Sequence, residues 1–347
     1  MTRIPDAPPP APARRWHLGT APWQSRRLTP PAPHARVLID NDFSGDPDDL
    51  PQLVHHLLSP GVEIRGIIGS HLREGDGFDP GPGTAAHAVA VVHDVLARMG
   101  VDGAEHLVVE GADGPLPDRG TPRPSAASAA IIAEALREDT DLPLLYAAGG
   151  GLTDLASALL IEPRIASRMR LLWIGGPEHP GLAVPPPDAM PIEYNLLIDP
   201  AAAQVVFDTA ELEIWQVPRD AYRRCLVSES ELRTRLGATG PLGRHLYEEI
   251  ALVSAAVGRP CASYALGDSP LVLFSALLSL FEPDASSSSF AVRPTPAVAD
   301  DGSYRARESG DPAARDLRIC TQVDMRLLLE DLIASLTEFE AWANAPA

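Results

Sequence analysis

The sequence predicts an α/β protein: a mostly parallel open sheet with helices on both faces. Three observations carry this. Short apolar runs bounded by turn residues alternate with longer helical patterns at the spacing of βαβ units. The first apolar run ends in a cluster of aspartates just before a helix, where open α/β sheets place their ligands. Hydrophobic residues make up 45% of the 347-residue chain, ample for a core.

The elements follow in order. Val37, Leu38 and Ile39 form an apolar run that reads as a short buried strand. From Leu50 the pattern turns helical, with Leu53, Val54, Leu57 and Leu58 at three- and four-residue spacings, and Ser59-Pro60-Gly61 stops it. Residues 62–70 read as a second strand, 84–100 as a helix ended by Gly100, and 106–112 as a short strand. After a loop comes a helix over 125–138 whose cap is Ser125. A strand at 142–149, a helix at 152–161, a strand at 170–176 and a long loop at 176–192 complete the alternation. The serine run 286–289 reads as a loop and 324–342 as a closing amphipathic helix. There is no internal repeat, and no Pro/Gly-rich linker divides residues 35–347, which read as one domain. Residues 1–34, rich in Pro, Ala and Arg, read as an irregular arm whose Trp16 and Trp23 are available to dock on the domain or on a partner subunit.

Composition narrows the function. A net charge of −19 without a basic stripe argues against nucleic acid as a partner. No apolar run is long enough to span a bilayer, and the arm lacks the apolar core of a signal peptide. Cys225, Cys261 and Cys320 are widely spaced, without a Cys-x-x-Cys pattern, so reduced thiols in a cytoplasm are expected.

The informative stretch is "VLIDNDFSGDPDDL", which sets Asp40, Asp42, Asp46, Asp48 and Asp49 around Ser44, Gly45 and Pro47. Capping and turn formation explain one or two of them, Asp46 or Asp48, but not five. Two carboxylates about 5 Å apart repel by roughly 3 kcal/mol at an effective dielectric near 20, so such a cluster calls for a cation or raised pKa values. Hard oxygen donors without cysteine or paired histidine point to Ca²⁺ or Mg²⁺ rather than zinc. No glutamate closes the loop at EF-hand spacing. His55, His56, His87, His93 and His245 lie on predicted helices without a second ligand at metal spacing and read as surface or packing residues. Gly149-Gly150-Gly151 lacks the spacing and lysine of a P-loop and reads as a tight turn.

The aspartate stretch resembles the metal-binding signature of the nucleoside hydrolases, the inosine–uridine-preferring family, an apolar strand followed by D-x-D-P-G-x-D-D. Further segments match in the same order. "AAGGGLTDLASALLIEP" is similar to G-G/P-L-T-N-L-A-x-A-L…P. "LLWIGGPEHPG…PIEYNLLIDPAAAQVVF" is similar to M-G-G…E-F-N…D-P-E-A-A…V-F, and "LGDSPLVLFSAL" to H-D-P-L-A. "WQVPRDAYRRCLVSESEL" falls at the family's P-L-D-V-T-type strand end. The resemblance spans roughly residues 37 to 340.

The resemblance implies a Rossmann-like fold and Ca²⁺ held by Asp42, Asp49, Asp268 and the main-chain carbonyl of Thr153. The aspartate matching Asp42 also accepts the proton of the attacking water. Asp48 matches the carboxylate that holds a ribose hydroxyl, Glu193 and Asn195 match the E-x-N pair on the other side of the sugar, and Asp40 is support. The implied activity is Ca²⁺-dependent hydrolysis of the N-glycosidic bond of a ribosylated small molecule; the alternative is a non-catalytic ribose- or metal-binding protein. Assembly into a homo-oligomer is left open. The chain departs from the pattern in several places. Two residues are inserted before Asp48, which makes Asp46 an extra carboxylate. Ser70 and His71 stand where an Asn follows the second strand, and Ile174 replaces the M-G-G methionine. The histidine before the last metal aspartate, a general acid toward the base, is Gly267. Tyr264, His71 and His179 are candidates to take over its role, and Tyr247 is a candidate to stack on a base.

Overall fold

The computed structural model describes residue 12 and residues 14–24, 32–257, 262–278 and 287–345. Within these, one sheet of eight strands organises the chain. In chain order its strands are β1 (Ala35–Asn41), β2 (Val62–Gly69), β3 (Val108–Glu110), β4 (Leu144–Ala148), β5 (Met169–Ile174), β6 (Glu213–Val217), β7 (Ser289–Pro294) and β8 (Asp316–Gln322). They lie in the spatial order β7-β8-β6-β5-β4-β1-β2-β3, all parallel except β7, which runs antiparallel to β8 at the edge.

The order explains where a site can form. From β1 the chain moves one way to β2 and β3, then returns to place β4, β5 and β6 on the other side. The connections therefore diverge between β1 and β4, which leaves a crevice at their carboxyl ends. Asp40 pairs with Ala148 across that boundary, so the loops after both strands meet there.

Helices cover both faces: α1 (Asp49–Leu58), α2 (Thr84–Met99), α3 (Ala126–Ala135), α4 (Thr153–Ile161), α5 (Tyr194–Ile198), α6 (Pro200–Asp208), α7 (Pro241–Val257), α8 (Pro270–Ser275) and α9 (Met325–Ala343). Successive side chains of β1 point to opposite faces. Val37 and Ile39 join a core with α1, α2, α7 and α9, while Leu38 joins a second core with α3, α4 and α6. All three are at most 1% exposed, the signature of a central parallel strand. Ser125 caps α3 as expected, accepting from Ser128 N–H at 2.9 Å.

The arm is less irregular than its composition suggests. Trp16 and His17 pair in parallel with Val101 and Asp102. Trp16 and Trp23 are buried edge-to-face on each other at 4.7 Å and pack on Phe339 of α9. His55 and His56 are fully buried on α1, not at the surface. The serine run is a loop only in part, since Ser289 begins β7. Cys225 and Cys320 are buried and unbridged, and Cys261 lies outside the described residues. No helix among the described residues is long and apolar enough to cross a membrane.

Candidate active site

The loop after β1 carries Asp42, Asp46 and Asp48 to one side of a cavity of about 160 Å³. Asp268 from the turn before α8, Gly149 and Ile174 from the ends of β4 and β5, Tyr194 and Asn195 from α5, and Tyr222 complete its lining. Sequence positions more than 200 residues apart thus meet at the crevice that the strand order opens.

Capping does not account for the aspartates. Asp48 occupies the N-cap of α1 but makes no capping hydrogen bond with its side chain. The carboxylates instead crowd one another. Burial, then Asp268 and Asp49, holds the Asp42 carboxyl well above the usual range. Burial, then Asp268, Asp46, Asp49 and Asp42, does the same at Asp48. Asp268 is raised by burial and by Asp49, Asp46 and Glu193, against a hydrogen bond from Asn41. Asp40 lies behind this group, is bonded by the Tyr146 hydroxyl, and is pushed up to about 7 by burial and Asp154. Support, not ligation, is its place.

Two features tie the cluster together. Asn41, fully buried, accepts the Asp42 N–H through Oδ1 at 3.0 Å and donates from Nδ2 to Asp268 Oδ2 at 2.7 Å. The glycine run lets the β4 loop approach closely. A Cβ on Gly149 would lie 2.3 Å from Asn41 Nδ2, and one on Gly150 would lie 3.0 Å from Asp42 Oδ1. The run is therefore a close-approach turn against the acidic loop.

The donor chemistry fits a hard divalent cation: buried carboxylates that repel one another, no sulfur, and a main-chain carbonyl beside them. Among the described residues, however, no three His, Cys, Asp or Glu side chains converge into a completed metal shell. Neither Thr153 nor Asp49 is among the lining residues of the cavity, and the Thr153 side chain is engaged elsewhere. Thr153 opens α4, its hydroxyl donates to Asp199 Oδ2 at 2.7 Å, and its Oγ1 lies 2.9 Å from His71 Nε2. The loop residue that lines the cavity is Gly149, whose carbonyl accepts from Asn195 at 2.6 Å.

Several expected site residues point elsewhere. Glu193 is 1% exposed and does not line the cavity. As the N-cap of α5 its Oε2 accepts Leu196 N–H at 3.1 Å and Gly176 N–H at 2.6 Å, and its Oε1 accepts the Tyr222 hydroxyl at 2.7 Å. Backbone donors that need an acceptor at a helix start have claimed it. His179 is buried against Gln216 Oε1 at 2.8 Å, with its ring 4.7 Å from that of Tyr304, and His71 is held by the Leu72 carbonyl and Thr153. Neither faces the aspartates. Of the three acid candidates, Tyr264 alone stands at the rim. Its hydroxyl donates to Asp46, and its ring lines a neighbouring cleft of about 370 Å³ with Tyr247, Ile250 and Leu232.

Asn195 does line the cavity. Its Nδ2 donates to the carbonyls of Gly149 and Ile174 at 2.6 and 2.7 Å. The sequence reading missed Asn41, Tyr194 and Tyr222. Tyr194 sits inside the quoted E-Y-N motif and its hydroxyl donates to Asp76. Tyr222 follows Pro218 at the end of β6, the position of the P-L-D-V-T resemblance, which was a signal that could have found it.

An open α/β sheet with a carboxylate-lined, sugar-sized crevice at its switch point defines a class of small-molecule site. The comparisons narrow that class. The family model "Inosine-uridine preferring nucleoside hydrolase" matches residues 37–272, and the chain belongs to that family. A 69-residue stretch is 42% identical to an inosine-uridine preferring nucleoside hydrolase of Crithidia fasciculata, covering 20% of this chain and 19% of that relative. The match thus spans about a fifth of that relative's length. The fold is shared with a purine-preferring ribonucleoside hydrolase from Gardnerella vaginalis (TM-score 0.65, 18% identity, 89% of this chain and 99% of that one). It is shared also with an inosine-uridine preferring nucleoside hydrolase from Bacillus anthracis (TM-score 0.58, 18% identity, 88% and 99%).

Proposed function

We propose that this protein hydrolyses the N-glycosidic bond of a ribosylated small molecule, with a divalent cation, Ca²⁺ by donor type, held by Asp42, Asp49, Asp268 and the Thr153 main-chain carbonyl. The observation that carries the reading is the cavity itself. Asp42, Asp48 and Asp268 meet Asn195 in a space the size of one sugar, in a chain of this family.

A bound cation supplies a lowered water pKa at neutral pH. Asp42, at the foot of the cavity, accepts the proton of the attacking water. Asp48 accepts a hydrogen bond from a sugar hydroxyl. Asn195 has spent its amide hydrogens on two carbonyls, so its Oδ1 is the atom that meets the sugar. Cleavage develops positive charge on the ring, and fixed carboxylates in a water-poor site stabilise it without reorganisation. On the leaving-group side Gly267 offers no acid, and Tyr264 on Asp46 is the one candidate at the rim. General-acid assistance is worth about 10²–10⁴-fold, so inosine is expected to be cleaved far more slowly than a nitrophenyl riboside, which leaves without a proton. Free ribose released from nitrophenyl riboside, inosine and uridine, with Ca²⁺ and with chelator, tests this directly. Asp42→Asn should abolish release while the protein stays folded. Binding of ribosides without release from any of them would favour the non-catalytic reading. The small-molecule partner and a cytoplasmic location remain part of this proposal, supported by the acidic charge and the unbridged buried cysteines.

A further inference from the structure

Gly267, just before Asp268, sits between Asp48 and the ring of Tyr222, the tyrosine that follows the end of β6. A Cβ built on Gly267 would lie 2.8 Å from Asp48 Oδ2 and 3.4 Å from Tyr222 Cδ2. A side chain at position 267 would displace the Asp48 carboxylate and pack against the Tyr222 ring. Tyr222 is itself a lining residue, half-buried, with its hydroxyl donating to Glu193 Oε1 at 2.7 Å. Glu193 is fixed in turn by the amides of Gly176 and Leu196. A phenol that donates its hydrogen to a carboxylate keeps its lone pairs as acceptors. The residue that lines the cavity at this point is therefore a neutral acceptor on an aromatic ring, with the carboxylate bonded behind it and outside the lining.

We propose that Tyr222 is the sugar-contacting residue on this side of the cavity, accepting a hydrogen bond from a hydroxyl of an unphosphorylated ribosyl group, and that Glu193 is a positioning residue acting through it. The inference rests on the ribosyl reading of the site and deepens it.

The test is a double-mutant cycle with two readouts on the full chain: calorimetric binding of a phenyl C-riboside, whose carbon–carbon link cannot be hydrolysed, and KM against kcat on nitrophenyl riboside. Tyr222→Phe should weaken C-riboside binding and raise KM by about three- to tenfold, the range of one neutral hydrogen bond, with kcat little changed and some loss of melting temperature from the Glu193 oxygen left without its donor. Glu193→Gln should weaken binding in the parent and add nothing in the Tyr222→Phe background. Unchanged affinity in Tyr222→Phe would overturn the proposal. So would an equal penalty from Glu193→Gln in both backgrounds, because that places Glu193 on the sugar itself. A parent that binds the C-riboside but releases nothing from nitrophenyl riboside sinks the hydrolase reading and leaves this one standing. A parent that binds no riboside sinks both.

Discussion

Asn41 ties the acidic loop to Asp268, its Oδ1 accepting the Asp42 backbone N–H and its Nδ2 donating to the Asp268 carboxylate. Asn41→Asp keeps the volume but turns the donor facing Asp268 into a third like charge. Groups that orient metal ligands typically account for 10–100-fold in metal affinity. The substitution should therefore weaken Ca²⁺ binding by about tenfold or more, read by calorimetric titration of chelator-stripped protein. Unchanged affinity would show that Asp268 needs no alignment. At this scale the sequence was partly legible. Five aspartates in ten positions announce an acidic site, but their partner Asp268 lies 227 positions from Asn41, and no local pattern links the two. Glu193 shows how a local use can add to a site reading: a carboxylate just before a helix can serve as a cap, and Glu193 makes that bond to Leu196 N–H.

The helix α1 and the arm decide how the acidic loop is anchored. Every residue of α1 is buried. His55 Nε2 lies 2.9 Å from Asp331 of α9, and His56 Nε2 lies 2.8 Å from the Ser275 hydroxyl at the end of α8. The arm closes the far side, where Trp16 donates from Nε1 to the Met99 carbonyl at 2.8 Å and stacks with Trp23 on Phe339. Removing such a ring loses its transfer energy and leaves a cavity, about 3–5 kcal/mol for a buried aromatic. Trp16→Ala should cost stability in that range by chemical denaturation while the site, at the other end of the sheet strands, keeps its ligand affinity. A loss under about 1 kcal/mol would mean that the arm is only loosely docked. Periodicity revealed α1, α2, α4 and α9 because apolar residues repeat along each. It missed β6, β7 and β8. The "EIWQV" of β6 is short, β7 is an edge strand, and β8 takes its place between β7 and β6 through a long-range pairing with β6.

For the molecule as a whole, the raised carboxyls set a pH dependence. Folding raises the pKa of Asp42, Asp48 and Asp268, and that of Asp40 to about 7. A carboxyl raised by folding binds more protons folded than unfolded, so its stabilising contribution is present below its unfolded value and falls as pH climbs toward the folded value. His56, lowered to about 3 by burial and His55, works in the opposite sense, losing stability as pH falls below its unfolded value near about 6.5. Above that point it is neutral in both states. Between about pH 6.5 and 8, chelator-stripped protein should therefore melt at progressively lower temperature. Added Ca²⁺ should restore most at the alkaline end, where it replaces protons the carboxyls have lost. The net charge of −19 pushes in the same direction. A melting temperature that is flat or rises over this interval would count against a crowded acidic site.

The sequence by itself determined the class of sheet, the acidic loop at the end of its first strand, the Ser125 cap and the family resemblance. Each is written in neighbouring residues or in a repeat of two or about 3.6 positions. The tertiary structure alone decided which atoms face the cavity. It turned Glu193, His71, His179 and Thr153 inward onto backbone and side-chain partners. It brought Tyr222 beside Asp48 and Gly267, and it set Gly149 in the cavity wall. The physical reason is competition. A buried polar group is held by whichever donor or acceptor the fold brings within reach, and every such group must be satisfied at once. That choice depends on strand order and helix starts far apart in the chain, which no local pattern encodes.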